Sequence, residues 1–412
     1  MDIVLYLLLF QSSWYSLLLF IVPMRMSYSL FVAIIALVCC VGLLVQIIFS
    51  NNGRMSKSMF SLTLGSMLVA IGFFLTEIRY GFVNERFRAY ELSYISEVIP
   101  AIMLGSYIAK NEKLKINVKK IVPVVGLILS LFSIYTAIFP DGFDNTGLIE
   151  TSYGVNYQSN SYMASYAFSL MMYYVLFSDE INWTKFFRTR LARRIGVVIA
   201  VIDIFALVRS GGRGGIVFLF VMVLFYGFIM LKKGRLTKHS FISLCLATVL
   251  VPIGIFMLYS WMEKQSQSIV AVKRVLTFLN KASDPIRTAT AAQGVNIFFG
   301  KPLLGHGIGS VFYEIGMYSH NIAIDLLIEV GAIGMGLFII LLYVSVQRGI
   351  KLSRTNMSNC IWFVLFLTGF VQALFSGYYL SIPSIFASIA FWLCATDIRN
   401  LQTGGRRATN ES

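Results

Sequence analysis

His320 and Asn321 stand at the mouth of an apolar run in the stretch EIGMYSHNIAIDLLIEVGAIG, residues 314–334. A helix N-terminus disfavours positive charge, so an imidazole there stays neutral and able to take a proton from a hydroxyl. The plainer reading makes His320 a hydrogen-bonding residue at an interface and Asn321 a helix cap. Asn321, Asp325 and Glu329 are spaced four apart and form one polar stripe on a helix. Carboxylates inside an apolar segment are costly. Asp325 and Glu329 are therefore expected to face the bundle and meet an arginine or a polar cavity, and Asp203 poses the same demand.

Anion chemistry is the second theme. In LVRSGGRGGIVFLF, from Leu207, a turn containing Gly211 and Gly212 joins two apolar runs, and Arg213 opens the second. Backbone N–H groups near a helix N-terminus hold phosphate, and a guanidinium beside them adds a bidentate contact. A tight interhelical turn with a snorkelling arginine has the same pattern. Further on, Ile269, Val272, Val275, Leu276 and Leu279 recur at helical spacing around Lys273, Arg274 and Lys281, as in a helix lying on a membrane surface. A second amphipathic stretch begins near Arg287, and the glycine-punctuated loop GKPLLGHGIGS follows. That loop lacks the GxxxxGK[ST] pattern, so it offers no support for ATP binding.

These residues must be positioned by membrane helices. The 412 residues are 57% hydrophobic and only 13% charged, too apolar for one soluble core. Since about 20 apolar residues cross the hydrocarbon, we read about twelve spans, centred near Leu9, Leu37, Ser66, Ile102, Leu129, Leu170, Val201, Phe225, Val249, Phe338, Phe366 and Phe386. Uninterrupted apolar runs contradict the alternation of a membrane barrel. The expected fold is an all-α polytopic bundle. Residues 1–259 form transmembrane helices 1–9, 260–319 a periplasmic loop with amphipathic helices, 320–396 helices 10–12, and 397–412 a cytoplasmic tail. The N-terminus lacks the basic region and cleavage site of a signal peptide and reads as a retained first span. Cys39, Cys40, Cys245, Cys360 and Cys394 lie in or beside apolar runs and are expected to pack as small hydrophobes.

Lysine and arginine set the orientation. KNEKLKINVKK from Lys110, KFFRTRLARR from Lys185, LKKGRLTK from Leu231 and QRGIKLSR from Gln347 belong in the cytoplasm by the positive-inside rule. Both termini then fall inside, and the Arg213 turn and the segment before His320 fall outside. The net charge of +15 reflects loops facing an acidic inner leaflet and calls for no nucleic acid. Basic residues on the outer side, among them Arg79, Arg86, Arg88, Arg213, Arg287 and Lys301, point to an anionic ligand, to lipid headgroups, or to pairing with Glu77, Glu85 and Glu91.

Arg213 in its glycine-rich turn, Arg287, KPLLGHGIGS, and then HN followed after nine residues by Gly331 and after two more by Gly334, resemble the superfamily of O-antigen polymerases and O-antigen ligases. The resemblance is strongest over residues 210–334. It implies a GT-C-like fold, arginines matching Arg213 and Arg287 that hold the pyrophosphate of an undecaprenyl-linked oligosaccharide, and catalysis by the histidine matching His320. Membrane lipids, a chain-length regulator and a flippase are the implied partners, and neither metal nor cofactor is called for. Transfer from a lipid diphosphate requires charge neutralisation at the leaving group and a base for the acceptor hydroxyl. Arg213 and Arg287, with Asn321, Gly211 and Gly212, would bind substrate, His320 would activate the acceptor, and Asp325 and Glu329 would support them. A polymerase is the first reading and a ligase the second. A lipid-linked glycan flippase is the third, although transporters place their polar groups at midplane on broken helices, often with internal repeats.

Overall fold

The computed structural model describes residues 56–139, 157–234 and 285–395, apart from 83, 182 and 211, together with a few isolated positions elsewhere; for 285–288 it describes the backbone alone. Among the described residues the chain is helical, with one pair of two-residue antiparallel strands, Gly142–Phe143 (β1) and Ile149–Glu150 (β2). The first helices are α1 (Lys57–Tyr80), α2 (Glu85–Ser93) and α3 (Ile99–Ile108), the last two joined by a π turn at Tyr94–Val98. Then follow α4 (Glu112–Ile138), α5 (Tyr157–Phe177), α6 (Arg190–Ser210) and α7 (Arg213–Lys232). After the undescribed segment come α8 (Pro285–Gly300), α9 (Val311–Glu314), α10 (Ile322–Thr355), α11 (Ile361–Phe375) and α12 (Pro383–Cys394).

Short polar side chains start these helices by accepting orphan amides. Ser56 accepts from Met59, Asn84 from Arg86 and Phe87, and Asn111 from Leu114. Helix α1 ends at Gly81, whose positive φ of 82° brings its N–H to the Glu77 carbonyl.

Helix α5 is the centre of the bundle, packed against α4, α6, α7 and α11, while α3 packs on α12 and α1. Small residues permit this closeness. The hydroxyls of Ser161 and Ser165 donate to the carbonyls of Gly212 and Gly215, at 2.7 and 2.8 Å. A Cβ on Gly105 of α3 would lie 2.2 Å from the Ala387 carbonyl oxygen of α12. The outward faces stay apolar, as on α6 at Val201 and Phe205 and on α10 at Leu337 and Ile340, which suits contact with lipid. Five helices among the described residues are long and apolar enough to cross a membrane: Lys57–Tyr80, Glu112–Ile138, Arg213–Lys232, Ile322–Thr355 and Met357–Phe375. The expected centres at Ile102, Leu170, Val201 and Phe386 also lie on helices, whereas those at Leu37 and Val249 fall outside the described residues. The count of about twelve spans and the GT-C-like architecture thus go beyond these helices. Cys360 and Cys394 are buried free thiols, as expected of small hydrophobes, and the other three cysteines lie outside the described residues.

The basic connections collect at one end. The Lys119 ammonium donates to Ser358 and Asn359, both at 2.7 Å, Lys233 pairs with Glu180, and Arg348 donates to the Leu393 carbonyl. The starts of α5, α7 and α10 lie at the other end, linked by contacts described below.

Helix α10 departs from the continuous span that hydropathy suggests. It breaks at Gly331, which takes φ 64° and ψ −170°, a region that only glycine adopts readily. The loop 302–307 fills the break. His306 and Gly307 donate their amides to the carbonyls of Ile328 and Glu329, at 2.8 and 2.9 Å, and Ala332 and Ile333 donate to Pro302 and Leu303, at 2.8 and 3.2 Å. Backbone groups freed within a membrane helix need protein partners, and this loop supplies them. A Cβ on Gly331 would lie 2.4 Å from the Leu303 carbonyl oxygen, whereas one on Gly336, a turn and a half later, would meet open space. Gly331→Ala should therefore lower stability by about 2 kcal/mol or more, and Gly336→Ala should leave it unchanged or raise it by about 0.5–1 kcal/mol. Thermal unfolding of the two variants in detergent checks the contrast.

Candidate functional site

Two turns from distant parts of the chain meet around Ser376, at the end of α11. From the first, Gly214 follows Arg213 so closely against α5 that a Cβ on it would overlap the Tyr162 hydroxyl, at 1.7 Å. That hydroxyl lies 3.1 Å from the Ser376 hydroxyl, which also accepts from the Gln158 amide at 3.0 Å. From the second, Tyr318 donates its hydroxyl to the Ser376 carbonyl at 2.7 Å, and the His320 ring packs edge-on against Tyr318 with centroids 4.4 Å apart. Ser376 thus links the start of α7 to the start of α10.

The backbone around His320 is held in an unusual shape. His320 has a positive φ of 60°, one of two non-glycine residues so placed among the described residues. Histidine tolerates this left-handed region better than most residues, yet the conformation needs enforcement. Asp325 provides it: its carboxylate is fully buried and accepts the Ser319 N–H at 2.8 Å. The Ser319 hydroxyl closes the turn on the Asn321 backbone, at 3.0 and 3.2 Å. Asn321 is the N-cap of α10, its side-chain oxygen accepting from Ala323 at 2.9 Å. The nine residues between HN and Gly331 are the first segment of the broken helix.

The polar stripe faces inward as expected, but its partners differ. No arginine meets it among the described hydrogen bonds; Glu329, 1% exposed, accepts the hydroxyls of Tyr378 and Tyr379, both at 2.8 Å. Neutral donors satisfy both carboxylate oxygens where a salt bridge would require burying a second charge. Asp203 is likewise fully buried and accepts from Ser130 at 2.9 Å. Of the arginines expected on the outer side, Arg88 pairs with Glu77 at 3.2 Å and Arg79 donates to the His306 carbonyl at 2.9 Å, so structural partners account for these two.

The remaining site residues divide by what is described. Gly212 is buried, with its carbonyl occupied by Ser161. Arg213 is half-buried at the start of α7. Arg287 falls in the first turn of α8, and its side chain and Gly211 lie outside the described residues.

Residues 198–339 match the family described as O-antigen ligase. The match supports the O-antigen polymerase and ligase superfamily for this segment. The matched segment runs from within α6 to beyond the break in α10 and so includes Arg213, Arg287, His320, Asn321, Asp325 and Glu329. Members of this superfamily are enzymes that act on lipid-linked glycans. No curated protein matches the chain.

Sequence reasoning within this superfamily domain missed residues lying outside it. Ser376, Tyr378 and Tyr379 belong to the polar interruption FSGYYLS between two apolar runs, a signal visible in the sequence once its end of the bundle is known. Gln158 and Tyr90 carried no such mark. Tyr90 stacks on Phe312 at 4.8 Å and packs edge-on against Tyr318 at 5.8 Å.

The Asp325 contact yields a direct check. Asp325→Leu leaves the buried Ser319 amide without its acceptor, a loss of about 1–3 kcal/mol, whereas Asp325→Asn retains an accepting oxygen. Amide hydrogen exchange at Ser319 should accelerate strongly in the leucine variant and little in the asparagine variant.

Proposed function

We propose that the protein is a polymerase of O-antigen or a related surface polysaccharide, joining undecaprenyl-pyrophosphate-linked repeat units at the periplasmic face of the inner membrane, with both termini in the cytoplasm. The observation that carries this reading is the meeting of the Arg213 helix start with the His320 turn around Ser376, at the end of the bundle away from the basic connections. In this reading Arg213 and Arg287 neutralise the donor diphosphate, a bidentate role that lysine fills poorly. The amides of Gly211 and Gly212 near the α7 N-terminus add to the same anion site. His320 takes the proton of the acceptor hydroxyl, whose oxygen attacks the anomeric carbon as the bond to the diphosphate breaks, with inversion and without a metal. Asn321 contacts substrate from the α10 cap, and Asp325 and Glu329 hold the first segment of α10 in place.

The description of the matched family favours a second reading, a ligase that hands the glycan to lipid A core. Both readings share the donor and the site and differ in the acceptor.

Glycan laddering separates them. Deletion of the gene should leave a single repeat unit on core. Wild type should restore the ladder and His320→Asn, which tolerates the left-handed backbone, should not. Arg213→Lys should reduce long chains at least tenfold, while Lys301→Ala, at an exposed position, should leave the ladder unchanged. Polymer accumulating on the lipid carrier would mean ligase, and a normal ladder after deletion would count against the polymerase.

A further inference from the structure

A shallow groove of about 500 Å³ opens between the α1–α2 connection and α9, lined by Asn84, Glu85, Arg86, Phe312, Tyr313 and Gly316. Its wall is aromatic: Tyr313 stacks on Tyr80 with centroids 4.7 Å apart and an interplanar angle of 15°. Its rim is charged. Arg86 and Glu85 are exposed, and neither side chain has an ion-pair partner among the described residues. The Tyr313 hydroxyl is buried without a hydrogen-bond partner among the described residues, although such groups are nearly always satisfied.

We propose that this groove is the subsite for the acceptor glycan, holding a sugar ring against Tyr313 with its hydroxyls toward Arg86 and Glu85. A pyranose presents an apolar C–H surface and a rim of hydroxyls, and an aromatic wall beside charged hydrogen-bonding groups complements both.

Position assigns the groove to the acceptor. The Phe312 ring at the base of the groove lies 6.4 Å from Tyr318, whose ring lies 4.4 Å from His320, so one chain of ring contacts joins the groove to the histidine turn. The Arg213 turn joins from the side of Tyr162 and Ser376, leaving the two substrates to approach His320 from different sides. The rim is braced: Tyr80 donates to Glu314, and Glu314 faces His306 at 3.3 Å.

The inference rests on the transferase reading, and binding without turnover tests it separately. The probe is the repeat-unit oligosaccharide released by mild acid from the lipid-linked pool of a strain lacking this gene, titrated by NMR saturation transfer against the full chain in nanodiscs. Arg86→Gln and Glu85→Gln should each weaken binding about tenfold; both positions are exposed, so both variants should fold. Lys301→Ala, at an exposed position outside the groove lining, should bind the probe as wild type does. Wild-type affinity in both groove variants, or no binding by wild type, would overturn the subsite. Failure of the polymerase reading appears instead in the ladder of the deletion strain.

Discussion

The site depends on a backbone pairing between the loop 302–307 and the break in α10. An interrupted helix inside a membrane protein leaves amides and carbonyls that lipid cannot satisfy. Here four hydrogen bonds from one glycine-rich loop satisfy them, and positive φ at Gly305, Gly307 and Gly331 makes the approach possible. The break lets the first segment of α10 end where Glu329 meets Tyr378 and Tyr379, while its start holds Asn321 and the His320 turn. Between them, Asp325 holds the Ser319 amide. The histidine geometry therefore follows from a helix segment fixed at both ends.

On the other side, close packing does comparable work. Gly214 and Gly215 have no room for a Cβ beside Tyr162 and Ser161, so α7 lies directly on α5. This sets Arg213 one residue from a contact with the hydroxyl that reaches Ser376. The glycine-rich turn therefore serves interhelical packing, and Gly212 gives its carbonyl to Ser161.

Much of this was legible in the sequence because membrane burial punishes polar groups. The inward stripe at Asp325 and Glu329, the helical nature of the chain and the grouping of basic connections at one end all follow from that penalty. The break at Gly331 was less legible, since GAIG within an apolar run has the hydropathy of an ordinary span; only nonlocal pairing with Pro302 and Leu303 reveals it. The tyrosine partners of Glu329 were invisible for a similar reason. Hydropathy marks a carboxylate as needing a donor but does not say whether arginine or a phenol supplies it. The surface helix expected over 269–281 lies outside the described residues.

We propose that His320, in its enforced left-handed turn, activates the acceptor in transfer from a lipid diphosphate. The most direct measurement is turnover by the purified chain in proteoliposomes with lipid-diphosphate-linked repeat units, counting lipid diphosphate released against glycosidic bonds formed. Wild type should release one lipid diphosphate per bond formed, and His320→Asn should do neither at undiminished donor binding. Equal turnover by His320→Asn would contradict it.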